Sequence, residues 1–425
     1  MSNFAKDTFR AFKYRNYRLF FAGQGLSVTG ALMQQMAQGW LVYRITDSPL
    51  MLGIVAFAGQ IPSILFTPLA GICSDRYDRR KILLIADIVQ MIQAFIMAAL
   101  IFSGLIQPWH IIILSIVLGS AASFEMTTRH SLVPQMVDNR DDVGNAIALN
   151  SVMFNSARLI GPALAGGVVA WVGEGMCFLF NGFSFSAVIV ALLLMKIDKK
   201  VVATQSKPLA DLVEGFNYVF KLVPLRIIIL FMALISLSGS GVIVLLPVFA
   251  KDVLHGGPQA YGFLVGSIGL GALLGAFYMA SRKSVRGLGK LIMIALIVFG
   301  LGLIAASFSQ FLPIAMLSLT FAGVGMMMHM SSSNTIIQTV ADDDKRGRAM
   351  SFYILAFSGF VPIGNLLAGS MAKIFGVREV LAAGGIITLV SGIAFLMLLP
   401  RLRRYLKPVY IKKQIIPMET GVEIN

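Results

Sequence analysis

Long apolar stretches separated by short polar breaks make up most of this chain. A bilayer core about 30 Å thick needs about 20 mostly apolar residues per helix, and we distinguish twelve stretches of that length. Backbone groups in hydrocarbon find no water to bond, so each stretch should be helical. The pattern predicts an all-α membrane protein with spanning helices at about residues 17–43, 49–73, 81–103, 109–132, 145–172, 175–195, 225–250, 259–281, 288–307, 312–335, 347–374 and 378–399.

The longest polar break, residues 196–224, divides the chain into two groups of six helices. After Pro208 its apolar residues fall at helical spacing, which predicts an amphipathic helix on the inner membrane surface or, alternatively, a solvated linker. We therefore expect a cytoplasmic lead-in (1–16), an N-terminal six-helix bundle (17–195), this cytoplasmic linker, a C-terminal bundle (225–399) and a cytoplasmic tail (400–425).

The two halves resemble each other. A shift of 203 positions brings Gln135 onto Gln338, Asp141 onto Asp344, and the Leu-Ala-Gly of 164–166 onto that of 367–369. Parallel repeats of this kind are a transporter architecture, with the substrate site between the halves near mid-membrane. Glycines at matched places in the fifth and eleventh helices, and throughout the eighth, suit either a moving interface or static tight packing.

Charge gives the orientation. The net charge is +15, but only 13% of residues are charged, and most of the 35 Lys and Arg lie in the two tails and in every second loop. This asymmetry is the positive-inside rule and predicts cytoplasmic termini. We therefore expect no nucleic-acid partner. The basic, aromatic N-terminus lacks a signal-peptide cleavage site and suits the anionic inner surface.

Enzyme signatures are absent from the sequence. It contains no H-E-x-x-H, no G-x-S-x-G and no G-x-x-x-x-G-K-[ST]. Its two cysteines, Cys73 and Cys177, fall toward opposite membrane faces and should not bridge. We expect neither an enzyme nor a bound metal or cofactor.

The loop after the second helix reads GICSDRYDRRK over residues 71–81. This resembles the G-x-x-x-D-R-x-G-R-R-K signature of the major facilitator superfamily, with Asp78 in place of the usual glycine. The segments FEMTTR at 124–129, NAIALNS at 145–151, ARLIGP at 157–162, NTIIQ at 334–338 and RGRAMS at 346–351 resemble the bacterial branch with enterobactin exporters and macrolide efflux pumps.

The resemblance implies roles for two motifs. In the superfamily the loop motif latches the cytoplasmic side shut, which assigns a gate here to Asp75, Arg76, Arg79 and Arg129, although such charges also serve topology alone. The pair Gly161-Pro162 resembles the antiporter motif of the fifth helix and favours export. It departs from G-P-x-x-G-G in spacing, and a proline kink with no role in coupling is the alternative.

Charges at membrane depth are costly and tend to mark function or tight pairs. Glu125, Asp87 and His329 are the candidates for proton coupling, against structural pairing of Glu125 with arginine, a loop contact of Asp87 and a wall position for His329. The first helix lacks the carboxylate that several drug–proton antiporters carry. Candidates for the substrate cavity are the polar residues at depth: Gln24, Gln34, Asn155, Arg158, His329 and Asn334.

These features predict a secondary transporter in a bacterial inner membrane that works as a monomer. We expect it to export an amphipathic small molecule, a drug or a siderophore-like metabolite, in exchange for protons, with membrane lipid around it. A lipid or glycolipid flippase of the same fold is an alternative. A channel or a non-transporting membrane sensor is an alternative from another class.

Overall fold

The computed structural model describes residues 9–195, 208–239, 241–282 and 284–413. The start of the predicted lead-in, the linker up to residue 207 and the tail after 413 lie outside these residues. The six helices of the first half are α1 (Arg15–Thr46), α2 (Pro49–Arg76), α3 (Arg79–Phe102), α4 (Pro108–Leu132), α5 (Arg140–Val172) and α6 (Glu174–Leu194).

The second half begins with α7 (Pro208–Lys221), the linker helix. It continues with α8 (Val223–Gly239), α9 (Gly241–Val248), α10 (Pro258–Ser281), α11 (Leu288–Phe308), α12 (Leu312–Val340), α13 (Arg346–Ser358), α14 (Phe360–Phe375) and α15 (Val377–Lys412). Short segments of other helix types cover Arg10–Lys13, Val133–Met136 and Phe249–Val253. Prolines begin four helices, where the missing backbone N–H does no harm; they are Pro49, Pro108, Pro208 and Pro258.

By length and composition, eleven spans among the described residues suit a membrane, with Val223–Val253 and Arg346–Phe375 each counted as one. The first helix, α1, has 32 residues and is long enough to be the twelfth. Its polar side chains lower its hydropathy, and several of them, such as Gln24 and Gln34, are buried inside the protein. Large apolar side chains point outward instead, as at Trp171, which is 91% exposed and suits contact with lipid. The predicted all-α membrane fold is confirmed.

The helix ends differ from the predicted ones in places. α15 continues past 399 to Lys412, and α12 continues past 335 to Val340. Gly359 separates α13 from α14 within the eleventh span. A methyl group on Gly359 would lie 2.5 Å from the carbonyl oxygen of Leu355, so a small residue is needed at this point.

Two compact units divide the chain. The N-terminal unit contains Met1–Thr204 and His255–Gly266, and the C-terminal unit contains Gln205–Leu254 and Ser267–Asn425. Within the first, α2 packs on α4, and α3 packs on both α4 and α6. Within the second, α11 packs on both α12 and α15, which is the same pairing for the ninth, tenth and twelfth spans. The internal repeat is therefore a repeat of packing as well as of sequence.

Glycine allows a close helix contact in each unit. A Cβ on Gly119 of α4 would lie 1.9 Å from the carbonyl oxygen of Gly59 on α2. In the other unit, a Cβ on Gly323 of α12 would lie 2.3 Å from the carbonyl oxygen of Ile268 on α10. Gly119 and Gly323 lie on the fourth and the tenth span, which correspond in the repeat, and only a residue without a side chain fits such backbone approach.

Candidate functional site

The loop motif joins the ends of α2 and α4. Arg79 donates from Nε to the carbonyl oxygen of Ser74 at 3.1 Å and from Nη1 to that of Ser131 at 3.2 Å. Its Nη2 lies 3.6 Å from the carboxylate of Asp75. Arg76 is exposed at the end of α2. The structure thus brings Asp75 and Arg79 together, and Arg79 connects the end of α2 to the end of α4.

The residue that replaces the usual glycine has a local structural task. The side chain of Asp78 accepts a hydrogen bond of 3.0 Å from the backbone N–H of Arg80 at the start of α3. This is an N-cap, which satisfies one of the free donors of a helix N-terminus. The sequence departure from the superfamily motif therefore supports α3.

A buried charged cluster lies one to two turns deeper. Arg129 donates from Nη1 to Oε1 of Glu125 at 2.6 Å, one turn apart on α4. The guanidinium of Arg129 also covers the ring of Phe154 on α5 at 4.7 Å. Asp87 on α3 is 3% exposed and lies close enough to interact with the charges of Glu125 and Arg129. Asp87 therefore lies within electrostatic range of an ion pair formed on the neighbouring helix α4.

This arrangement changes two expectations from the sequence. Arg129 lies with Glu125 rather than with Asp75, so it is separate from the pair of Asp75 and Arg79, and Arg76 joins neither ion pair. Asp87 interacts with the charges of this cluster and forms no hydrogen bond to a loop among the described residues. Arg158 forms no ion pair with Glu125, whose carboxylate is held by Arg129.

Arg158 has no ion pair or hydrogen bond to any part of the chain that the structure describes. Its side chain is exposed on the polar stripe of α5, the helix face that carries Ser151, Asn155 and Arg158. On the same stripe, Asn155 donates from Nδ2 to the carbonyl oxygen of Ser151 at 2.8 Å. The guanidinium of Arg158 is consequently available to an external group.

The predicted cavity residue Gln34 bonds instead inside the N-terminal unit. Its Nε2 donates to Oε1 of Gln93 at 3.1 Å, and its Oε1 accepts from Nδ2 of Asn181 at 2.7 Å. All three side chains are buried, and together they join α1, α3 and α6. Gln24 is also buried, with 4% of its surface exposed. Sequence reasoning missed this amide bridge, although the polar positions in otherwise apolar helices were visible.

The pair Gly161-Pro162 lies at two close approaches. A Cβ on Gly161 would lie 3.3 Å from the carbonyl oxygen of Thr29 on α1. A Cβ on Gly262, in the first turns of α10, would lie 2.5 Å from the carbonyl oxygen of Pro162 and 3.0 Å from the Cα of Gly166. The antiporter-like motif therefore belongs to a glycine-lined contact between α5 and α10.

His329 is enclosed in the C-terminal unit. It is 1% exposed, and neither ring nitrogen has a hydrogen-bond partner among the described residues. One turn further along α12, the hydroxyl of Ser333 is likewise buried without a partner there. An unpaired buried imidazole is costly, so this position carries polar groups that ordinary packing does not require.

A polar cavity of about 430 Å³ opens beside the following turns of α12. Asn334, one of the predicted substrate residues, lines it. The other lining residues are Ser331, Thr335, Gln338, Thr339, Arg346 and Lys413. Sequence reasoning missed this site because Arg346 and Lys413 are distant in the chain.

An ion pair that was also missed lies at the other ends of α1 and α6. Arg44 donates from Nε to Oε1 of Glu174 at 2.7 Å and from Nη2 to Oε2 at 3.3 Å. The carboxylate is 7% exposed while the arginine is 50% exposed. The lone Arg44 in a loop poor in cations was the signal available in the sequence.

Metal chemistry finds no support in the described residues, where no group of His, Cys, Asp and Glu is arranged to hold an ion. Cys73 and Cys177 are both free thiols.

Comparison with known proteins gives a full-length match. Residues 6–410 match the family described as transmembrane secretion effector. The staphyloferrin A transporter of Staphylococcus aureus is 25% identical over 384 residues, which cover 89% of this chain and 95% of the relative. The multidrug efflux pump Tap of Mycolicibacterium fortuitum is 25% identical over 398 residues, covering 90% and 93%. These relatives are transporters and not enzymes.

Solved structures agree on the fold. The nucleoside transporter NupG superposes with a TM-score of 0.72 at 15% identity, covering 90% of this chain and 99% of the other. A bacterial homologue of the iron transporter ferroportin gives 0.68 at 16% identity, covering 90% and 98%. The chain therefore belongs to the transmembrane secretion effector family of the major facilitator superfamily and is a multi-pass membrane transporter.

Proposed function

We propose that this transporter exports an amphipathic small molecule, a drug or a siderophore-like metabolite, by alternating access in exchange for protons. Export suits its resemblance to a siderophore transporter and to a multidrug efflux pump along nearly their whole length. In this proposal both termini face the cytoplasm of a bacterial inner membrane, as the loop charges predict, and a single copy of the chain carries out transport.

The observation that carries proton coupling is the cluster of Asp87, Glu125 and Arg129. Two carboxylates lie at similar depth, about 12 Å and 10 Å from the nearby helix ends. Glu125 is ion-paired with Arg129, and Asp87 interacts with the charges of both. A carboxylate that exchanges an arginine partner for a proton is a suitable carrier, because the exchange keeps the buried charge low. Glu125 retains 14% exposure and is the more accessible of the two acids.

In this mechanism Arg129 is the switch partner. While Arg129 holds the Glu125 carboxylate, its guanidinium also makes the cation–π contact with Phe154 that joins α4 to α5. Protonation of Glu125 releases Arg129 toward Asp87, which maintains one carboxylate for the arginine. Arg158, exposed on α5 without a partner among the described residues, would bind an anionic part of the substrate.

The test is export into inverted membrane vesicles with an imposed pH gradient, over a panel of fluorescent drugs and siderophore-like polycarboxylates. For any compound that the wild type accumulates, we expect Glu125→Gln to abolish proton-driven accumulation and to retain counterflow of preloaded compound. Asp141→Asn is the matched control, because Asp141 is an exposed acid at the start of α5. Normal proton-driven accumulation by the Glu125→Gln variant would show that Glu125 has a structural role and does not couple transport to protons.

A further inference from the structure

We propose that the cavity beside α12 binds a hydroxycarboxylate, or another small anion that also donates hydrogen bonds, as a substrate subsite of this transporter. This rests on the proposed export function. The cavity, which we call the α12 pocket, lies wholly within the C-terminal unit. Its volume of about 430 Å³ falls in the range typical of small-molecule sites.

Two cations already converge on a carboxylate at its edge. Arg346 bonds from Nη2 to the carboxylate of Asp343, and Nζ of Lys413 lies 4.0 Å from the same carboxylate. Both cations are held in place: Nε of Arg346 donates to the carbonyl oxygen of Gln338 at 3.1 Å, and Nζ of Lys413 donates to that of Ala341 at 3.2 Å. The geometry for holding a carboxylate is therefore built.

The internal carboxylate is exchangeable. The side chain of Asp343 is 84% exposed, and solvent screens an ion pair of that kind so that it contributes little. A ligand carboxylate inside the pocket could replace it at Arg346 and Lys413 without leaving a buried charge unpaired. Asp343 would then swing into water.

The α12 wall determines what else the ligand must carry. Thr335 donates its hydroxyl proton to the carbonyl oxygen of Ser331 at 2.9 Å, and Thr339 donates to that of Thr335 at 2.7 Å. Since these protons are used, both hydroxyl oxygens face a ligand as acceptors. Nε2 of Gln338 donates to Oδ1 of Asn334 at 2.5 Å, which leaves the Asn334 amide N–H groups as donors.

This combination selects a ligand class. An organic cation is disfavoured by Arg346 and Lys413, and a purely apolar molecule by a lining made of polar side chains. A phosphate or sulfate dianion has few protons to give to Thr335 and Thr339. A carboxylate that also bears hydroxyl or amide protons satisfies the cations and the acceptors together.

The experiment is calorimetric titration of the full-length protein in lipid nanodiscs. Citrate is the probe, and tricarballylate, which has the same carboxylates without the hydroxyl, is its comparison. We expect citrate to bind several-fold more tightly. Lys413→Gln should weaken the binding of citrate and of tricarballylate by about 10-fold, because a charge-assisted bond is lost. Lys413→Arg should restore both affinities. Lys407→Gln is the matched control, an exposed lysine on α15 outside the pocket.

Two further variants separate a binding site from a structural network. Asp343→Asn should tighten citrate binding, because it removes the competing carboxylate, whereas a purely structural Asp343 would not. Thr335→Val should lower citrate affinity to that of tricarballylate and leave tricarballylate unchanged. The proposal is overturned if the wild type binds neither probe, or if Lys413→Gln and Lys407→Gln behave alike.

Transport measured on the same proteins separates this proposal from the exporter proposal. If the wild type moves compounds in vesicles but does not bind citrate, only the subsite is wrong. If citrate binds with the pattern above and no compound of the panel moves, the exporter proposal is wrong and the α12 pocket remains an anion site.

Discussion

Tyr14 and Tyr218 make matching contacts in the two units, 204 positions apart in the chain. The hydroxyl of Tyr14 accepts from the backbone N–H of Asn139 at 3.3 Å and donates to Asp142 at 2.9 Å. The hydroxyl of Tyr218 accepts from the backbone N–H of Asp342 at 2.9 Å and donates to its carboxylate at 3.1 Å. Each tyrosine thus anchors a segment preceding its half to the loop before the fifth or the eleventh span.

The match extends to neighbouring side chains. Lys13 lies over the ring of Tyr14 at 4.9 Å, and Lys345 lies over the ring of Tyr218 at 5.1 Å. Phe216 of α7 packs on Phe352 of α13, and Arg348 pairs with Glu214 at 2.5 Å. The lead-in segment and the linker helix are therefore equivalent parts of the repeat, and each braces the start of a glycine-rich span.

We expect Tyr218→Phe to loosen α7 without unfolding the transporter. It removes one acceptor and one donor at an exposed site, which should cost about 0.5–1.5 kcal/mol. Hydrogen exchange should increase in α7 and at the start of α13, measured by mass spectrometry on the purified protein. Tyr14→Phe should do the same around Asn139. Equal exchange in wild type and both variants would show that the tyrosines brace nothing.

The contact at Lys13 should depend on pH at the alkaline end. Its hydrogen bond to Asp142, at 2.6 Å between Nζ and the carboxylate, raises the pKa of Lys13 above 10.5. The stabilisation is therefore full below pH 10.5 and is lost as pH rises through the raised pKa. The melting temperature of Lys13→Met should lie below that of wild type at pH 8, and the two should converge as the pH rises through the raised pKa of Lys13. A difference that persists at high pH would exclude the charge as its origin.

The loop motif allows stability and gating to be separated. Asp75 is 48% exposed and 3.6 Å from Arg79, so Asp75→Asn should change the free energy of unfolding by less than about 1 kcal/mol. If Asp75 belongs to the gate, the Asp75→Asn variant should nevertheless lose most of its transport activity. Asp78→Ala is the contrast: loss of the N-cap should cost about 0.5–2 kcal/mol, with transport per folded molecule unchanged. Undiminished transport by Asp75→Asn would remove it from the gate.

The contact of α5 with α10 provides a matched pair of glycines. Gly262→Ala would place Cβ 2.5 Å from the carbonyl oxygen of Pro162, whereas Gly266→Ala would place it 3.4 Å from that of Leu159. The first must force the helices apart, at a cost of about 1–3 kcal/mol, and the second fits. We expect Gly262→Ala to lose stability and transport and Gly266→Ala to retain both, measured by thermal unfolding and vesicle transport. Equal behaviour would show that the helices are not held at this distance.

The sequence alone determined which segments enter the membrane and how often. Span length and apolar content indicate whether a segment lies in hydrocarbon or in water. The observed helices begin close to the predicted positions, for example at Pro49, Pro258 and Leu312. The repeat and the loop motif around Asp75 were also readable, because both are sequence patterns. The family match agrees with the architecture that these features predicted.

Only the tertiary structure decided which polar side chains meet. Arg129 lies one turn from Glu125 on α4, but its contact with the ring of Phe154 depends on how α4 and α5 pack. Arg346 and Lys413 are 67 positions apart in the chain, and the continuation of α15 to Lys412 brings them to one carboxylate. Apolar patterning determines whether a residue lies in the membrane or in water. Helix rotation and loop packing determine its neighbours, and the chemistry of this transporter depends on those neighbours.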